Sequence, residues 1–191
     1  MAFPPVLNLS TLNGTHGFKI NGVATNDNSG WSVASAGDVN GDGIGDLIVG
    51  APFVGVETGA SYVVFGKTGG FGASINLSGL DGTNGFKLSG TPGASGAGYS
   101  VASAGDVNGD GFDDVIVGAP FATGDATASG VSYVVFGSAG GFSSNIDLSS
   151  LDGSDGFRLT GSNFLDFAGT SVASAGDING DGFDDMIIGA P

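Results

Sequence analysis

Apolar residues along this chain come in short runs, each closed off by Gly, Asn, Asp, Ser or Pro, and the runs recur in one order. LIVGAP (Leu47–Pro52), VIVGAP (Val115–Pro120) and IIGAP (Ile187–Pro191) form one set, and SYVVFG at Ser61–Gly66 and Ser132–Gly137 forms another. A third, SVASAG, follows Trp31, Tyr99 and Thr170. The fourth is LNLSTLNGTHGFKI (Leu7–Ile20), with counterparts INLSGLDGTNGFKL (Ile75–Leu88) and IDLSSLDGSDGFRL (Ile146–Leu159). Short apolar runs bounded by turn residues read as strands, and no sustained helical period competes with them.

Runs such as Val115-Ile116-Val117 and Tyr133-Val134-Val135-Phe136 are apolar on successive residues, so both faces of these strands are expected to be buried. SVASAG is built of small residues and suits a strand where sheets converge and backbones approach closely. The whole pattern repeats about every 70 residues, as Asp38, Asp106 and Asp177 show. Four strands per repeat, arranged radially, make an all-β fold of the β-propeller type with four-stranded antiparallel blades. The repeats run over approximately 7–74, 75–145 and 146–191, within a single domain spanning 1–191. The chain opens on one outer strand around Phe18–Ile20, supplies two full sets of strands, and reaches Pro191 two strands into a third. That is an open arc of about two and a half blades, against roughly 4–8 in a closed ring. The remaining blades are therefore expected in the same longer chain, or by self-association.

Composition supports this reading and narrows the partners. Glycine supplies 39 of 191 residues, far above the usual ~7%. The 40% hydrophobic content argues for a turn-dense folded chain rather than disorder. Four basic residues and a net charge of −15 exclude a phosphate-binding surface, so no nucleic-acid partner is expected. No segment approaches the ~18 apolar residues of a membrane helix, so no membrane insertion is expected. The start, MAFPPVLNLS, lacks the basic and apolar regions of a signal peptide. Cysteine is absent, which excludes a disulfide-stapled module.

The charge is concentrated. Eleven of the 19 acidic residues fall in three loops, GDVNGDGIGD (Gly37–Asp46), GDVNGDGFDD (Gly105–Asp114) and GDINGDGFDD (Gly176–Asp185). Counting from the first Asp, each loop carries Asp, Asn, Asp, Gly and Asp at positions 1, 3, 5, 6 and 9. Oxygen donors at alternate residues, a glycine for a sharp turn and a returning carboxylate suit a hard cation such as Ca²⁺, which takes about 6–8 oxygens in flexible geometry. Such residues also build ordinary hairpin turns without any metal. Three copies with every donor kept favour the metal.

These residues resemble the FG-GAP repeats of the integrin α-subunit propeller, in the version whose DxNGDGxxD loop binds calcium. The GAP element stands at Gly50-Ala51-Pro52, Gly118-Ala119-Pro120 and Gly189-Ala190-Pro191. Gly30-Trp31, Gly98-Tyr99 and Gly169-Thr170 stand where a Phe-Gly pair would lie. By analogy with calcium loops of the DxDxDG type, the first site is Asp38, Asn40, Asp42, Asp46 and the carbonyl of Ile44. The second is Asp106, Asn108, Asp110, Asp114 and the carbonyl of Phe112, and the third is Asp177, Asn179, Asp181, Asp185 and the carbonyl of Phe183. Up to three Ca²⁺ ions, one per repeat, are expected. The resemblance implies a non-enzymatic module of a secreted or cell-surface protein, mediating adhesion through a protein or glycan ligand on a propeller rim. The alternative is an accessory domain of a larger secreted hydrolase or related enzyme.

Other polar residues read as framework. His16 matches Asn84 and Asp155 in the same turn, and no Ser-His-Asp or Cys-His set can be built, so no catalytic residue is assigned. Lys19, Lys87 and Arg158 each follow a Phe on the outer strand and read as edge charges that discourage pairing. Asp113 and Asp184, at loop position 8 where the first copy has Gly45, read as solvated neighbours of the sites. Asn8, Asn13 and Asn76 lie in sequons, with no glycan assigned.

Overall fold

The computed structural model describes residues 5–92 and 95–191. Its strands are β1 (Lys19–Asn21), β2 (Ser32–Gly37), β3 (Asp46–Ala51), β4 (Ala60–Val64), β5 (Ser74–Asn76), β6 (Gly85–Ser89) and β7 (Ser100–Gly105). There follow β8 (Asp114–Ala119), β9 (Val131–Val135), β10 (Asn145–Asp147), β11 (Gly156–Thr160), β12 (Ser171–Gly176) and β13 (Asp185–Gly189). A single helical turn, α1 (Val54–Glu57), lies between β3 and β4.

The first full blade is the antiparallel set β2-β3-β4-β6, and the second is β7-β8-β9-β11. A two-stranded sheet, β12-β13, begins the third. The expected all-β arc of a partial propeller is borne out. Each outer strand arrives from the next repeat along the sequence: β6 follows the INLSGLDG stretch, yet pairs with β4 (Tyr62↔Lys87, Val63↔Phe86).

The structure adds a strand that four per repeat leaves out. The starts of the second and third INLS-type segments pair in parallel with the outer strand of the preceding blade, β5 on β1 (Ile20↔Ile75) and β10 on β6 (Leu88↔Ile146). Three residues with alternating exposure give no local sign of such pairing. This overturns the reading of Lys87 as an edge charge. Lys19 is paired with Ser74, and Lys87 lies between β4 and β10 and donates its N–H to the Ser144 carbonyl at 3.0 Å. Lys19 and Arg158 stay on edges, since β1 and β11 are each the outermost strand of a sheet.

Alternation along the central strands divides the apolar side chains between neighbouring blades. Ile48, Val63, Phe86 and Leu88 of the first blade form one core with Val115, Val117, Tyr133 and Val135 of the second. Val49, Tyr62 and Val64 face the other way, with Ile20 and Ile75 packed against them. Ile116 and Val134 of the second blade meet Val172, Met186 and Ile188 of the third. Both faces of β8 and β9 are buried, as their continuous apolar runs require. Phe86 and Phe142 stack at 4.3 Å with Phe65 edge-on, closing the first core at its outer end.

The small-residue strands lie innermost, and their neighbours explain the composition. The Ser32 hydroxyl donates to the Gly98 carbonyl at 2.8 Å and Ser100 to that of Gly169 at 2.7 Å, each bond crossing from one blade to the next. A Cβ on Gly50 or Gly118 would overlap those same carbonyls. The glycines of the first two GAP elements thus leave the gap through which the next blade approaches.

Candidate metal loops at the inner hairpin turns

Each acidic loop joins the two innermost strands of a blade, so all three open on one rim. The chain enters through a bulge, at Ser35/Gly37, Ser103/Gly105 and Ser174/Gly176, which bends the strand into the turn. Gly43, Gly111 and Gly182 at position 6 have φ of 81°, 90° and 93°, a left-handed conformation open to glycine at low cost.

The donors of each loop are held by its own amides. Asp38 Oδ2 accepts the N–H of Gly43 at 2.8 Å, and Oδ1 accepts that of Asp42 at 3.1 Å. Asn40 Oδ1 accepts the same Asp42 N–H at 3.0 Å, so the position-1 and position-3 oxygens converge on one nitrogen. Asp42 Oδ1 in turn accepts from Ile44 N–H at 2.8 Å. The pattern recurs around Asp110 N–H (3.1 and 2.9 Å) and Asp181 N–H (3.1 and 2.8 Å).

Position 9 differs in kind. Asp46 and Asp114 are 1% and 0% exposed. Asp46 accepts the N–H groups of Val39 (2.9 Å) and Gly66 (2.8 Å), and Asp114 those of Val107 and Gly137 (both 2.9 Å). Each carboxylate therefore brackets the loop start to the turn after the third strand. Burial pushes both acids up to about 6 against these stabilising N–H bonds, and the charges at positions 5 and 1 push the same way. Asp185 accepts from Ile178 N–H at 3.0 Å and is half-buried. Exposed Asp177 is held below the usual carboxylate range, chiefly by the Gly182 N–H.

The donor set fits a hard cation: three carboxylates, an amide oxygen and a carbonyl in nine residues, with mutual repulsion that a cation would offset. A carboxylate has about four lone-pair sites, so two accepted N–H bonds leave room for a metal. Among the described residues no three acidic or histidine side chains are already gathered as a closed metal cage. The loops are ordered turns carrying the donors. Beside the first, a cavity of about 510 Å³ runs from Asn40 and Asp42 to Thr83 and Asn84, with Lys67 poised 5.2 Å above the Phe71 ring.

Asp113 and Asp184 are not merely solvated. Asp113 Oδ2 accepts the Asp38 N–H of the preceding loop at 2.7 Å, while Asp113 N–H donates to the Asp38 carbonyl at 3.2 Å. Asp184 treats Asp106 in the same way, at 2.9 and 3.0 Å. A Cβ on Gly37 or Gly105 would overlap these carboxyl groups, which accounts for the glycine ending the first two SVASAG strands. The available signal was that the acid occurs in the two copies that follow another loop in this chain, whereas Gly45 stands in the first.

On the opposite strand ends, aromatic rings run across the blades. Trp31 packs with Phe53 and Tyr99, Tyr99 with Phe121, and Phe121 with Phe167, at centroid separations of 5.5–6.1 Å. Trp31 is 50% and Phe121 43% exposed.

Radial four-stranded blades with an acidic DxNGDGxxD turn between their inner strands define a propeller of the integrin α type. The chain belongs to the FG-GAP repeat family, which it matches at residues 29–64, 97–135 and 168–191. It is 33% identical over 170 residues to integrin alpha-PS5 of Drosophila melanogaster, covering 85% of this chain and 15% of that protein. It is 34% identical over 161 residues to integrin alpha-4 of Xenopus laevis, covering 81% and 14%. Similarity of the same order, 35% over 175 residues, covering 85% and 18%, links it to human phosphatidylinositol-glycan-specific phospholipase D. The chain therefore spans less than a fifth of the length of these relatives. Among the described residues no helix is long and apolar enough to cross a membrane.

Proposed function

We propose that the three loops bind Ca²⁺, one ion each, and that the chain is a non-enzymatic interaction module of a secreted or cell-surface protein. Asp38, Asn40, Asp42, Asp46 and the Ile44 carbonyl would hold the first ion, with the equivalent sets in the other copies. The bound ion would supply positive charge where the three carboxylates of each loop repel one another, tying the inner hairpin of each blade. The observation that carries this reading is the threefold recurrence of the same donors held by the same amide bonds. The ligand of such a module is a protein or glycan, and the half-exposed aromatic row on the far rim supports a contact surface there. Further blades, in a longer chain or from another copy, would complete the ring. Calorimetric titration with Ca²⁺ tests the metal: about three ions per chain are expected, and no heat at millimolar calcium would overturn it.

The similarity to a phospholipase D favours a second reading, an accessory domain within a larger enzyme. A purified chain that hydrolyses no phospholipid while binding calcium is consistent with either role. Activity that depends on the chain when joined to a catalytic domain would select the second.

A further inference from the structure

The three loops carry the same donors but not the same surroundings. Loop 1 is covered by the second blade: Asp113 clamps both backbone groups of Asp38, Ser138 N–H donates to the Val39 carbonyl at 2.9 Å, and the Phe112 ring lies over Gly41. Loop 2 is covered by the third blade through Asp184 on Asp106 and the Phe183 ring over Gly109. In loop 3 the equivalent glycines, Gly176 and Gly180, have nothing within 4 Å of a built Cβ. The residue after the first Asp records the same gradient: Val39 is 0% exposed, Val107 intermediate and Ile178 74%.

Resting on the calcium reading above, we propose that Asp113 and Asp184 are positioning residues that set the calcium affinity of the loop in the blade before their own. Each holds the backbone of a position-1 Asp from both sides, its carboxylate on the N–H and its own N–H on the carbonyl. The first donor of the preceding loop is thereby fixed before an ion arrives, and less ordering is left to the binding step. Loops 1 and 2 are pre-organised in this way and loop 3 of this chain is not. Calcium binding in one blade is thus tied to the docking of the next.

The amides of Gly43, Gly111 and Gly182 report each site separately, because each donates to its own position-1 carboxylate at 2.8–2.9 Å. Their signals are followed by two-dimensional NMR of the 191-residue chain during titration with calcium chloride. Gly43 and Gly111 are expected to reach half-saturation at about tenfold lower calcium than Gly182, the effect of one charge-assisted hydrogen bond. D113A is expected to move Gly43 alone to the Gly182 midpoint. D113N keeps an acceptor for the Asp38 N–H and is expected to stay within about threefold of the parent. Three glycines titrating together, an unmoved Gly43 in D113A, or D113N as weak as D113A would each overturn the proposal. Should D113A fail to fold, seen in the Gly111 and Gly182 signals, the parent chain and D113N still decide it. No response at any of the three glycines would instead overturn the calcium reading itself, and this proposal with it.

Discussion

Replacing Asp114 with Ala isolates the bracket that position 9 provides. Its carboxylate is fully buried and accepts N–H groups from Val107 and Gly137, both at 2.9 Å. The substitution removes two bonds to a charged acceptor and strands two amides in the interior, each a loss of about 1–3 kcal/mol. Part of that is returned, because burial already disfavours the ionised acid and holds it up to about 6. The expected net loss is about 2–4 kcal/mol. Asp185 is the natural control, with the same loop position but half-buried and accepting from Ile178 at 3.0 Å. Its replacement is expected to cost about 1 kcal/mol. Urea and thermal unfolding in EDTA, followed by far-UV circular dichroism, keep metal out of the comparison. At about 2–4 °C per kcal/mol for a chain of this size, D114A is expected to lower Tm by roughly 10 °C and D185A by a few degrees. Equal losses in the two variants, or a D114A loss below about 1 kcal/mol, would refute the bracket.

Two further outcomes follow from the same geometry. Gly118→Ala pushes a methyl into the Gly169 carbonyl of the next blade, whereas Gly189→Ala meets only the movable Ser171 hydroxyl. The first is expected to cost about 1–3 kcal/mol or more in unfolding experiments and the second well under 1 kcal/mol; a reversed order would contradict the close approach of the inner strands. Removing Asp106 and Asp110 together is expected to lower calcium stoichiometry by one, and undiminished stoichiometry would make the second loop an ordinary turn.

The fold was legible because two periods agree. Apolar runs such as Val115–Val117 announce strands buried on both faces, and the ~70-residue recurrence announces their radial arrangement. The parallel strands β5 and β10 were not legible, since each is three residues whose partner belongs to the preceding blade. The same non-local geometry misled the reading of Lys87, which looks like an edge residue until β10 is laid beside it. In the candidate site, the tight turns at the position-6 glycines could be read from spacing alone. The role of Asp113 could not, because its partner Asp38 is one whole repeat away. The glycine that makes room for it, Gly37, resembles any other turn glycine in the sequence.

The central claim, that these loops are calcium sites, is tested most directly by crystals of the chain grown in millimolar CaCl₂. The account predicts one ion in each of the three loops, bound by the oxygens of positions 1, 3, 5 and 9 and the position-7 carbonyl at about 2.3–2.6 Å. Well-ordered loops closed only by their own amide bonds, with no ion at that concentration, would contradict it.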